Sequence, residues 1–182
     1  MILVTYASRY GGTKQIANYL AKVLELEGLK TQLKQVDDVV SIAPYEHLVV
    51  GSGLYLGQWL EDAAEFLDSF SMNLGEKNVW LFSSGPSEEL GLLKNSIIPP
   101  HIELLLKRFP VKDVAFFNTQ ISTKQLSFDD YLLLQGMQSL SADASSWQRI
   151  KNWGLSIATN LKPALVTGDI VPPSLLGVNP RN

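Results

Sequence analysis

TYASRYGGTK, Thr5 to Lys14, decides how the rest of the chain is read. It follows the apolar residues Ile2, Leu3 and Val4, and it leads into a segment with helical spacing. A continuous apolar run suits a strand buried on both faces of a parallel sheet. From Thr13 to Leu26 the apolar residues Ile16, Leu20, Val23 and Leu24 recur at helical intervals, and Gly28 is a natural stop. Between strand and helix lies Ser8-Arg9-Tyr10-Gly11-Gly12-Thr13. One reading is a plain βα turn with Thr13 as helix cap. The other is a phosphate cradle. Two glycines let the backbone approach a ligand, successive N–H groups form an anion nest, and the helix start carries partial positive charge. Ser8 and Thr13 offer hydroxyl donors. The stretch is neither a Walker loop nor GxGxxG.

The same arrangement recurs further along. Leu48-Val49-Val50 runs into GSGLYLGQW, residues 51–59, and Val79 to Phe82 runs into SSGPSEELG, residues 83–91. In an open parallel sheet ligands bind outside the carboxyl ends of the strands, so these Gly- and Ser-rich loops are expected at one edge. Tyr55 is the natural residue to stack on a planar ring, and Trp59 is expected as the first core contact of the next helix. Ser84, Gly85 and Pro86 offer backbone groups to a heterocycle.

Further elements are a strand over Leu29–Val36, a helix over Trp59–Phe70, a strand over Val111–Phe117, and helices over Phe128–Gln138 and Ser145–Leu161. The order β-α-β-β-α-β, followed by a further strand and helices, predicts an α/β domain. The connection from Asp37 to Tyr45 is short for a crossover helix. The segment from Leu92 to Phe109 reads as an ordinary crossover helix, with a substrate or quinone lid as the other option. A single domain over 1–161 and a Pro- and Gly-containing tail over 162–182 are expected.

Composition narrows the chemistry. The chain has 182 residues, 46% hydrophobic and 18% charged, which is a globular balance. A formal net charge of −3 argues against a nucleic-acid partner. With no cysteine, disulfides, thiolate metal sites and catalytic thiols are excluded. The two histidines, His47 and His101, lack metal-ligand spacing, and no metal is expected. No GxSxG occurs. No run spans a bilayer and the N-terminus lacks a leader pattern, so the expectation is a cytoplasmic protein with no integral membrane segment, free to associate peripherally with a membrane.

TYASRYGGTKQIANYLAKVL, LVVGSGLYLGQWLEDAAEFL and VWLFSSGPSEELG together resemble the flavodoxin domain family, nearest the branch that includes the menaquinone-dependent protoporphyrinogen dehydrogenases. DASSWQRIKNWGLSIA is similar to that branch's closing helix. The resemblance implies a flavodoxin-like three-layer sandwich with a five-stranded parallel sheet in the order 2-1-3-4-5, and FMN as cofactor. By position, Ser8, Arg9, Tyr10, Gly11, Gly12 and Thr13 would surround the phosphate. Gly53, Leu54, Tyr55, Leu56 and Gly57 would line one side of the isoalloxazine, and Ser83, Ser84, Gly85 and Pro86 the other. The implied function is FMN-binding electron transfer or oxidoreduction, quinone-linked and protoporphyrinogen dehydrogenase-like, with a redox protein or a small-molecule or quinone substrate as partner. No catalytic acid or base is expected, since a flavin carries the redox chemistry itself. The alternative is a domain that has lost FMN and binds a protein; the third loop, SSGPSEE where many flavodoxins have a Gly-Asp pair, supports it. A phospho-acceptor module on the same topology would need carboxylates at the strand ends, and none stands there.

Overall fold

A computed structural model describes residues 1–9, 11–85, 98–118 and 144–162. Among the described residues, five parallel strands form the sheet: β1 (Ile2–Ala7), β2 (Thr31–Gln35), β3 (His47–Tyr55), β5 (Asn78–Gly85) and β6 (Asp113–Asn118). Their spatial order is β2-β1-β3-β5-β6, while the two-residue β4 (Gln58–Trp59) pairs antiparallel with the end of β3. With that short hairpin strand set aside, the order is the expected 2-1-3-4-5. Every residue of β1 is buried, Thr5 included, whereas β2 at the sheet's edge is partly exposed.

Helices cover both faces. On one side lie α1 (Gly12–Leu26) and α5 (Ala144–Leu161). On the other lie α2 (Glu61–Ser69), α3 (Ser71–Leu74) and α4 (Pro100–Leu105). Strand alternation separates the two cores. Leu48, Val50, Val79 and Leu81 pack with Leu67, Leu74 and Ile102. Val4, Val49, Trp80 and Phe82 pack with Ile16, Leu20, Ile150 and Trp153. Each fully buried aliphatic side chain contributes about 1.5–3 kcal/mol. Two close approaches depend on glycine. A Cβ on Gly51 would fall 2.0 Å from the Phe82 ring, and one on Gly154 of α5 would fall 2.9 Å from Val23 Cγ1 on α1.

Between β2 and β3 the short connection holds, as expected, no crossover helix but only a 3-10 turn, Val36–Asp38, with Val36, Val39, Ile42 and Tyr45 buried. These spaced apolar residues cover the core edge without a helix. The helix expected from Trp59 begins at Glu61, because Trp59 belongs to β4. In the Leu92–Phe109 segment, α4 buries Ile102, with Ile98 and Phe109 buried beside it. Residues 92–97, the Phe128–Gln138 helix and the tail beyond 162 lie outside the described residues. No described helix is long and apolar enough to cross a membrane.

Candidate functional site

The register brings the three loops to one edge. Ala7 at the end of β1 lies beside Ser52 of β3, and Gly53 lies beside Ser84 of β5. Alternation then sorts the side chains. Gly53 and Tyr55 face the α1 side of the sheet, like Gly51, whereas Ser52 and Leu54 face α2. Likewise Ser84 faces α1 and Ser83 faces α2.

On the α1 side the loops touch. Ser84 Oγ donates to Thr13 Oγ1 at 2.9 Å, with both residues buried. A Cβ added to Gly53 would fall 3.1 Å from the same Thr13 oxygen. Gly53 therefore admits the start of α1 against the sheet, and Thr13 accepts from Ser84 while its own hydroxyl proton stays available. The helix-cap role considered for Thr13 does not hold. Thr13 lies inside α1, and the N-cap is Gly11, in the left-handed conformation at φ 84° with no side-chain cap. A Cβ on Gly11 would meet nothing within 4 Å, so open space lies before it. Ser8 Oγ accepts the Gly11 N–H at 3.1 Å, and Gln15 is the first to bond back, to the Gly11 carbonyl. The N–H groups of Gly12, Thr13 and Lys14 thus precede the first intrahelical bond. An uncapped helix start, two hydroxyls and an open glycine form a set of neutral donors suited to an anion. Tyr10 lies outside the described residues.

The hairpin carries the apolar part of the site. Tyr55 pairs with Gln58, leaving Leu56 and Gly57 as a two-residue turn with φ 51° and 70°. Positive φ at both positions is the type I′ arrangement, which favours Asn or Gly at the first. A leucine there is strained, and it is 68% exposed. Tyr55 is 44% exposed, with the Arg9 guanidinium carbon 4.6 Å from its ring centroid. Leu54 is buried in the core beside Trp59, so the hairpin presents Tyr55 and Leu56, with Leu54 as its anchor. Trp59 Nε1 donates to Ser83 Oγ at 2.8 Å, and Ser52 Oγ accepts the Leu60 N–H at 3.0 Å. These bonds fix the base of the hairpin. Ser83 is thereby turned inward, whereas Gly85 ends β5 at the sheet edge, beside Asn118. Pro86 lies outside the described residues.

Sequence reasoning missed Ser52 and Asn118. Ser52 supports the hairpin from below. Asn118 is the last residue of β6, and its Oδ1 is buried without a hydrogen-bond partner among the described residues. A polar residue ending the run Asp113–Asn118 at this edge was the available signal. Among the described residues no group of three or more His, Asp or Glu side chains could hold a metal.

A model of the flavodoxin domain family matches residues 3–146. No curated protein matches the chain. Among solved structures, the chain is similar to oxidised flavodoxin 2 from Bacillus cereus, at 18% identity and TM-score 0.62, covering 87% of this chain and 98% of that one. A flavodoxin of Streptococcus pneumonia TIGR4 aligns at 15% identity and TM-score 0.62, covering 88% and 99%. Rubredoxin oxygen:oxidoreductase from Desulfovibrio gigas aligns at 16% identity and TM-score 0.58, over 87% of this chain and 35% of that protein. At such identities the structural likeness speaks to the fold.

Proposed function

The chain belongs to the flavodoxin domain family, and from that premise we propose that it binds FMN at the carboxyl edge of the sheet and serves in electron transfer. The observation that carries the reading is the convergence of Thr13, Gly53 and Ser84 beneath an uncapped, open start of α1. In this reading the backbone N–H groups at Gly12 to Lys14 and the hydroxyls of Ser8 and Thr13 hold the phosphate. Tyr55 and Leu56 form an apolar wall for the ring, and the end of β5 at Ser84 and Gly85 bounds its other side. Tyr10 and Pro86 are assigned to the same two loops by position. When bound, FMN would supply the redox chemistry. The residues bind and orient it, and no protein acid or base is required.

Absorbance titration with FMN and FAD tests this. Purified protein should bind about one FMN per chain and shift its visible spectrum, as a flavin held by protein groups does. A protein that binds neither flavin in excess would sink the reading and leave a protein-binding domain that has lost its cofactor. The quinone-linked, protoporphyrinogen dehydrogenase-like activity is the finer form of the proposal, supported by the sequence likeness to that branch, with a quinone as acceptor and the cytoplasm as the proposed location. It requires that menaquinone reoxidise the reduced holoprotein and that protoporphyrinogen reduce the oxidised one. If neither happens, the protein is a carrier between redox proteins.

A further inference from the structure

The β1–α1 loop and the hairpin touch at a point that neither the phosphate cradle nor the ring wall explains. Arg9 lies on the ring of Tyr55, with Cζ 4.6 Å from the centroid. Both residues are exposed, so the contact is a choice of geometry and not a result of close packing. Below it the hairpin is well fixed, by Trp59 on Ser83 and Leu60 on Ser52. Above that base the Tyr55–Gln58 pair leads into the strained turn at Leu56. A tyrosine at such a tip has an open choice of rotamer unless something holds it. A planar guanidinium can do so, because it stacks on an aromatic face as an ammonium does not. With the guanidinium on one face, Tyr55 still keeps 44% of its surface exposed, which leaves a second face for a planar ligand.

We propose that Arg9 is a positioning residue: it clasps Tyr55 from behind, ties the hairpin to the phosphate loop, and presents the opposite ring face to the flavin. The inference rests on the FMN reading for its ligand, but the clasp itself is a property of the free protein. Preorganising an aromatic side chain strengthens binding because its rotamer entropy is lost before the ligand arrives. Arg9 thus serves the ring end of the ligand, although it sits in the loop that serves the phosphate.

The competing role is a simple counter-charge for phosphate, and comparing riboflavin with FMN separates the two. Fluorescence titrations would use the wild type, Arg9→Gln, Arg9→Lys, Tyr55→Leu and the double variant Arg9→Gln/Tyr55→Leu, each with its fold checked by circular dichroism. The clasp requires Arg9→Gln to weaken riboflavin and FMN by the same factor, about two- to fivefold for a cation–π pair. It also requires that factor to vanish in the Tyr55→Leu background and Arg9→Lys to recover only part of it. Loss of FMN affinity with riboflavin unchanged, or equal losses with and without Tyr55, would overturn it. If the wild type binds neither flavin, the proposed function fails and the clasp is judged by urea unfolding of the wild type, the two single variants Arg9→Gln and Tyr55→Leu, and the double variant. There a coupling of about two- to fivefold in the unfolding constant sustains it, and additivity rejects it.

Discussion

Leu56 is where local chemistry and fold disagree most. Its φ of 51° suits asparagine or glycine, and Gly57 follows at 70°. A branched, apolar residue in the left-handed region costs about 1–2 kcal/mol. That cost is set against a side chain displayed beside Tyr55 at the rim of the site, 68% exposed. Leu56→Asn creates the Asn-Gly pair that type I′ turns prefer. It should raise stability by about 1 kcal/mol in urea unfolding while weakening FMN binding, since the apolar wall is lost. Greater stability with unchanged flavin affinity would show that Leu56 does not touch the ring. Sequence alone does not locate this residue's strain. GLYLGQ carries no Asn-Gly signal, so the hairpin is hidden in it and Trp59 reads as part of the helix that follows. The roles of Ser83 and Ser84 are equally hidden. They are neighbours in sequence, yet one bonds Trp59 and the other Thr13, and only the faces of β5 tell them apart.

At the scale of elements, α1 ties site to core. Its buried stripe of Ile16, Leu20, Val23 and Leu24 is legible from helical spacing, and so is its stop near Gly28. Its start is legible as a glycine pair, but the cap is Gly11 and not Thr13, because Thr13 is drawn inward by Ser84. The position of α1 also depends on α5, which approaches it at Gly154, where a Cβ would stand 2.9 Å from Val23 Cγ1. Leu20 Cδ2 lies 3.4 Å from the same point. Val23 is β-branched and has little rotamer freedom inside a helix, so it cannot yield cheaply. Gly154→Val should cost about 1–3 kcal/mol by overpacking, read as a lower urea midpoint with unchanged slope. The displaced α1 should also hold FMN less tightly, although Gly154 is remote from the loop in sequence. An unaltered midpoint would mean that the two helices can separate without loss.

Across the whole molecule, the inner strands β1, β3 and β5 are legible because strands buried on both faces leave largely apolar runs, whereas β2 at the partly exposed edge leaves none, and sheet order follows from the family resemblance. The division into two cores is not, since it needs the register. Nor is the state of the two histidines. His101 on α4 is partly buried, and its Nδ1 is buried without a hydrogen-bond partner among the described residues. Burial lowers its pKa below the usual 6.5. The folded protein therefore binds fewer protons at this ring than the unfolded chain does, wherever pH lies between the lowered value and 6.5. Its contribution to stability is complete above the unfolded pKa and falls as pH drops from there through the folded value. His47 is shifted the same way, first by burial, so the wild type feels both rings. His101→Gln removes one of them without adding a charge. Urea midpoints measured between about pH 8 and 5, a range spanning the ordinary histidine pKa, should fall less steeply in the variant than in the wild type. Parallel curves would show that His101 stays equally protonated in both states, and that α4 opens to water far enough to solvate it.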